Sequence, residues 1–461
     1  MINIWTKNSW VLERKEMIVD RMGITLLLTI FGVLVILRVP ITFCLAISAI
    51  ITGIYLNVPL EAIVKVMADG VMNFSLLAIP FFIIMGEIMN EGGIARRLVD
   101  LANLLVGRLP GGLAMVNVMD SMFFGGISGS AVADVSSLGS IVIPMMKKQG
   151  YDDEFAVGLT ICSACQGVII PPSHNMIIFA FAAGSASQLA GGQLLVVSVG
   201  KLFLGGYAPG IMMGLTMMVI ALIIAIKRKY PRGKGYSLKE GVAIFLNGAL
   251  ALATALIVVG GVIIGVFTAT EAAAFAVLYS FIVTFFIYRE APLVRFFKIL
   301  YSSLKTLAIV MSLIAAASGY GYLLARLQVP RLATEWLLSI TDNYFLLLLL
   351  INFLLLGLGC IMDMAPLILI CTPILFPVLV LKMGMDPVHF GIMLLLNLCI
   401  GLCTPPVGSA LFVGSAVGKI SIERASKGCI PFYISMFITL MMVTYIPAIT
   451  MFLPNLLMPA K

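Results

Sequence analysis

Short oxygen-bearing side chains stand beside glycine or paired proline at two places in this chain, each inside an otherwise apolar run. The first place is Ser128-Gly129-Ser130, followed by Pro171-Pro172-Ser173-His174-Asn175. The second is Met362-Asp363-Met364, followed by Thr404-Pro405-Pro406-Val407-Gly408. A proline inside a helix removes one backbone hydrogen bond and pushes its predecessor out of the helical conformation, so two in succession unwind at least a turn. At membrane depth the freed carbonyls are tolerated only where protein, ions or water satisfy them. Sodium asks for several oxygens in a compact shell. Unwound backbone supplies carbonyls, and Ser, Thr, Asn or Asp adds oxygens without bulk. Two Na+ sites are therefore expected, one from Ser128, Gly129, Ser130, Pro171, Ser173 and Asn175, the other from Met362, Asp363, Thr404, Pro405 and Gly408. The same breaks leave half-helix N-termini whose free N–H groups attract a carboxylate. Ser130, Ser173, His174, Asp363 and Thr404 are accordingly expected beside an anionic substrate.

The spacing repeats. Ser130 precedes Pro171 by 41 residues and Asp363 precedes Pro405 by 42; Gly184-Ser185-Ala186 and Gly414-Ser415-Ala416 follow the two proline pairs. Two homologous halves with paired broken helices are the sequence pointer to an inverted-repeat secondary transporter and its binding site.

The elements that must carry these residues are membrane helices. Hydrophobic residues make up 61% of the 461 and charged residues 11%, where a soluble chain carries about 25% charged. Spans of about 20 apolar residues cross a bilayer as helices. A closed β-barrel would need short alternating strands instead, whereas these runs are continuous. Spans are expected near 23–37, 41–56, 74–90, 156–183, 196–226, 241–266, 272–288, 298–325, 343–358, 388–402 and 432–453. Segments 112–146 and 345–382 are broken in the middle and read as hairpins of two short helices. The fold class is thus an all-α polytopic membrane protein of two inverted repeats with re-entrant hairpins and proline-broken helices. Residues 1–22 form a polar lead-in, 23–226 the first repeat, 227–240 a basic loop, and 241–461 the second repeat.

The net charge of +8 lies largely in short connections. Lys227, Arg228, Lys229, Arg232, Lys234 and Lys239 place their loop on the cytoplasmic side by the positive-inside rule. Nucleic acid is not an expected partner, since no interleaved aromatics or soluble basic module is present. Eight scattered cysteines include a CxxC pair, Cys162/Cys165, and an i,i+4 pair, Cys399/Cys403. Both lie in apolar stretches without a metal or redox context and read as small packing residues. Among intramembrane ionisable residues, functional by default, Asp363 leads. Asp134 could cap or pair with a lysine, Glu271 reads as a helix cap, Glu87 as an interface residue and His389 as a loop residue. No constellation calls for an enzyme, and no GxxxxGK[ST] loop for ATP appears.

With these residues in view, the chain resembles the large membrane subunit of the tripartite ATP-independent periplasmic (TRAP) transporters over roughly residues 23–457. The resemblance rests on Phe124-Gly125-Gly126-Ile127-Ser128-Gly129-Ser130-Ala131-Val132-Ala133-Asp134, Gly150-Tyr151-Asp152-Asp153, Pro171-Pro172-Ser173, Thr268-Ala269-Thr270-Glu271-Ala272-Ala273-Ala274 and Thr404-Pro405-Pro406-Val407-Gly408. It implies a multi-pass protein of the bacterial inner membrane in which a unit bearing both hairpins slides as an elevator against a fixed scaffold. It also implies a small membrane subunit of about four helices, a periplasmic substrate-binding protein, and a small organic anion as substrate: a dicarboxylate, sialic acid, sugar acid or keto acid. A stand-alone divalent-anion/sodium symporter of related architecture is the rival reading.

Overall fold

The computed structural model describes residues 20–189, 195–233, 236–341 and 343–459. Twenty α-helices and no strand occur among them. Seven helical stretches are long and apolar enough to cross a membrane, from Phe74–Glu91 to Ile422–Tyr445. Most of the lead-in, residues 1–19, and Lys234 and Gly235 of the basic loop lie outside the described residues.

Both hairpins form where the glycine-rich breaks required them. The first runs through Gly112–Ser128 and Ala131–Lys148. The second runs through Tyr344–Gly359 and Met364–Phe376, and its second arm continues as a wider helical turn to Lys382. The proline pairs also cut as expected. The run 156–183 divides into Asp153–Gly167 and His174–Leu189, and Pro387–Gly401 is followed by Ser409–Gly418.

Three expectations need correction. The last span does not start at 432 but at Ile422, because Ser421 caps the helix by accepting from the Arg424 N–H, and its first turns carry charges that need not enter lipid. It then ends at Tyr445, and Pro447 opens a separate helix, Pro447–Leu457. His389 is not in a loop. Asp386 caps Pro387–Gly401 by accepting from Val388 and His389, and His389 is buried in that helix with Thr450 at 2.8 Å. Finally, Leu60–Val71, Ile94–Val106 and Val329–Ile340 were absent from the expected spans. They are amphipathic, charged on one side through Lys65 and Asp69, Arg96 and Asp100, or Arg331 and Glu335, and a search for unbroken apolar runs passes over such helices.

Two sets of contacts organise the packing. In one, Arg295–Arg326 lies against Ile41–Tyr55 and Leu60–Val71, and Ala269–Ile282 against Ala78–Glu91. In the other, the halves exchange partners. The second arm of the first hairpin packs on Ser409–Gly418 of the second half, and the second arm of the second hairpin packs on His174–Leu189 of the first. The basic loop ties onto the base of the first hairpin. Gly112 N–H donates to Pro231 O at 3.3 Å, Gly233 N–H to Gly107 O at 2.9 Å, and Arg228 pairs with Asp152. Tyr230 donates to Asp152 at 2.6 Å; burial, with this carboxylate against it, pushes its phenol above the ordinary range.

Candidate functional site

At the first tip, Gly129 ends the first arm with φ +60°, a left-handed turn for which glycine carries no steric cost. Ser130 then caps the second arm by accepting from Ala133 N–H at 3.3 Å, and Ser128 Oγ accepts from Ser130 N–H at 3.3 Å. The tip is seated directly on the first proline break. A Cβ added to Gly129 would stand 3.2 Å from Ser173 Cα and 3.3 Å from His174 Nδ1; one added to Gly126 would stand 3.1 Å from Pro171 O. Asn175 Nδ2 donates to Gly129 O at 3.3 Å. One turn lower, a Cβ on Gly125 would lie 2.0 Å from Gly167 Cα, so the arm and the broken helix touch backbone to backbone. Ser173 is fully buried and its hydroxyl has no hydrogen-bond partner. An orphaned buried hydroxyl beside carbonyls and serines suits an oxygen shell for a cation. Ser128, Gly129, Ser130, Pro171, Ser173, His174 and Asn175 are thus brought together as the spacing required.

The second tip repeats the device with differences. Gly401 lies where a Cβ would stand 2.5 Å from Gly359 Cα. Cys360 O accepts from Val407 N–H at 3.1 Å and Gly408 N–H at 3.4 Å, closing the tip on the second proline break. Gly408 has φ +37°. Asp363 holds the N-cap position of Met364–Phe376, yet its side chain accepts no capping hydrogen bond; Ser409 Oγ donates to it at 3.3 Å instead. Its carboxylate is therefore not a side-chain cap of that helix. Thr404 Oγ1 is turned back to Ile400 O at 2.7 Å. Met362, Asp363, Thr404, Pro405 and Gly408 form one neighbourhood, but Asp363 and Pro405 are exposed whereas Pro171 is buried. Both proline pairs are joined by cis peptide bonds.

Asp134 neither caps nor meets a lysine. It is buried behind the first tip, where Ser121 Oγ donates to its Oδ1 at 3.4 Å. Sequence reasoning passed over its neighbour Asp120, also fully buried. Both oxygens of Asp120 and Oδ2 of Asp134 lack hydrogen-bond partners. A polar chain continues from Ser121 to Ser163 (3.2 Å), then to Asn117 (3.5 Å) and Thr160 (2.7 Å). The signal was present: Asn117, Asp120 and Ser121 share one helical face through their i,i+3 and i,i+4 spacing, as do Thr160 and Ser163 opposite. The second half carries a neutral counterpart in which Asn397 donates to Asn352 at 2.7 Å and Asn352 to Thr444 at 3.1 Å. Glu271 is a helix cap, in a capping box with Thr268. The paired cysteines are buried packing residues; Cys399 Sγ, for one, donates to Cys165 O across the two halves. No group of three or more His, Cys, Asp or Glu residues could hold a metal ion among the described residues.

Residues 28–449 match the family described as the tripartite ATP-independent periplasmic transporter, DctM component. The sialic acid TRAP transporter large permease protein SiaM of Vibrio cholerae is 39% identical, over 85% of this chain and 88% of that protein. The C4-dicarboxylate TRAP transporter large permease protein DctM of Rhodobacter capsulatus is 36% identical, over 93% and 99%. Among solved structures, the YdaH transporter of Alcanivorax borkumensis shares the fold with a TM-score of 0.60 at 15% identity, covering 84% of this chain and 88% of that one.

Proposed function

Because the chain belongs to the DctM family of tripartite ATP-independent periplasmic transporters, we propose that it is a sodium-coupled, elevator-type large permease subunit that imports a small organic anion across the bacterial inner membrane. The single observation that carries sodium is the orphaned, buried Ser173 hydroxyl, set against the Gly129 tip and the Pro171 break. With Ser128, Ser130 and Asn175 it makes an oxygen shell with no fixed cationic side chain in it. Met362, Asp363, Thr404, Pro405 and Gly408 make the second shell, to which Asp363 brings a formal negative charge. The ions are cargo and driving force, and the half-helix N-termini at Ser130 and His174 face the substrate carboxylate. The relatives named for sialic acid and C4-dicarboxylate support an organic acid as the substrate. The exchanged packing supports elevator motion. Each hairpin tip sits on the proline break of its own half while its second arm packs on the other half, so the two hairpins would move as one unit and each ion shell would stay whole during the movement.

The partners are a small membrane subunit of about four helices and a periplasmic substrate-binding protein. Reconstituted with both, the chain should import its organic acid under an imposed inward sodium gradient. Uptake that runs equally well on a proton gradient in sodium-free buffer overturns sodium coupling. Uptake that needs no binding protein replaces the tripartite reading with a stand-alone symporter.

A further inference from the structure

Between Val199–Lys227 and Ile422–Tyr445 lies a wedge-shaped groove of about 660 Å³ at the end that carries the basic loop. Its closed end is set by Thr216 Oγ1, 2.5 Å from Ser435 Oγ and 3.5 Å from Thr439 Oγ1. Its open end has an equally definite cause. Gly158 and Gly428 bring Asp153–Gly167 and Ile422–Tyr445 into backbone contact; a Cβ on Gly158 would lie 2.2 Å from the Gly428 carbonyl carbon. The lower part of Ile422–Tyr445, interrupted by Pro431, is thus drawn towards Asp153–Gly167 and away from Val199–Lys227. Ile220, Ile223, Ile224 and Ile434 line the gap, and Lys227 and Arg228 stand at its rim. Ile223 and Ile434 are 61% and 58% exposed.

We propose that this groove binds one anionic phospholipid, with an acyl chain along the isoleucines and the phosphate at Lys227, beside the Arg228–Asp152 pair. Three features select this occupant. The eleven residues from Thr216 to Lys227 rise about 16 Å, which is close to half of the roughly 30 Å hydrocarbon core. The groove therefore has the length of one leaflet. Its walls are apolar, and its lining charges are Lys227 and Arg228 at headgroup depth; Arg228 pairs with Asp152, which leaves Lys227 as the cation open to a phosphate. A partner helix packed into the groove would bury Lys227 without a counter-charge.

The test uses the full chain, purified in detergent and stripped of lipid, with phosphatidylglycerol or phosphatidylcholine added and bound lipid counted by native mass spectrometry. The wild type should retain one phosphatidylglycerol in preference to phosphatidylcholine. Lys227→Ala should lower that retention about fivefold, Lys227→Arg should restore it, and Ile223→Trp, which fills the groove, should abolish it at unchanged melting temperature in lipid-free detergent. Equal retention of the two lipids overturns the proposal, as does full retention by Lys227→Ala. A crosslink from Ile223→Cys to a second protein chain in native membranes also overturns it.

Discussion

Replacing Asp363 by asparagine tests the second ion shell with little disturbance to the fold. Asp363 accepts no capping hydrogen bond, and its one partner, Ser409 Oγ at 3.3 Å, can donate equally well to an amide oxygen. The melting temperature should therefore be unchanged. The charge is a different matter. At about 4 Å a unit charge pair is worth roughly 1 kcal/mol in water and about 4 kcal/mol near a protein surface. Asp363 is exposed, which places the loss in the lower part of that range, about 1 to 2 kcal/mol, or roughly a five- to thirtyfold weaker sodium affinity. Uptake into proteoliposomes carrying the variant and its partners, titrated with sodium chloride against choline chloride, measures this as a rightward shift of half-saturation. A variant that folds, transports and keeps the wild-type sodium dependence would show that no sodium ion touches Asp363, and the second shell would have to be rebuilt from carbonyls alone.

Two further outcomes follow from the same geometry. Asp120→Asn removes a fully buried carboxylate whose two oxygens lack partners, so the variant should melt at the same temperature or higher; a fall of several degrees would mean that the carboxylate has a stabilising partner in the membrane. In a background lacking the eight native cysteines, a crosslink between positions 129 and 173 joins parts of one moving unit and should permit uptake, whereas a crosslink from the second hairpin arm at 373 to position 321 of Arg295–Arg326, which line one cleft, should arrest it. The opposite pair of results would require a hairpin-gated mechanism in place of an elevator.

Much of this architecture is legible because its punctuation is chemical. Gly129, Pro171 and Pro405 announce breaks in otherwise apolar runs, and the matched spacing of Ser130 to Pro171 and Asp363 to Pro405 announces two halves. Amphipathic helices such as Ile94–Val106 and Val329–Ile340 are less legible, since their apolar residues are diluted by charges on the exposed face. His389 was misread because Asp386-Pro387 signals a turn and a helix start alike, and only the tertiary contact with Thr450 separates them. Asp120 escaped because its lack of partners is a property of the packed state. The difference in exposure between Pro171 and Pro405 is likewise set by neighbours distant in sequence.

The exchange of packing partners between the halves has a consequence for biosynthesis. The second arm of the first hairpin ends at Lys148, while the helix it rests on begins only at Ser409. At about 5 to 20 residues per second, the ribosome needs roughly 10 to 50 seconds to deliver that seat. Throughout this interval the second arm lacks the helix it packs on, whereas the Ser128–Ser130 tip and the polar face of Asn117, Asp120 and Ser121 already have their partners in the first half. The first half is thus left with one hairpin arm uncovered until Ser409–Gly418 is made, and a chain terminated within the basic loop would keep that face open.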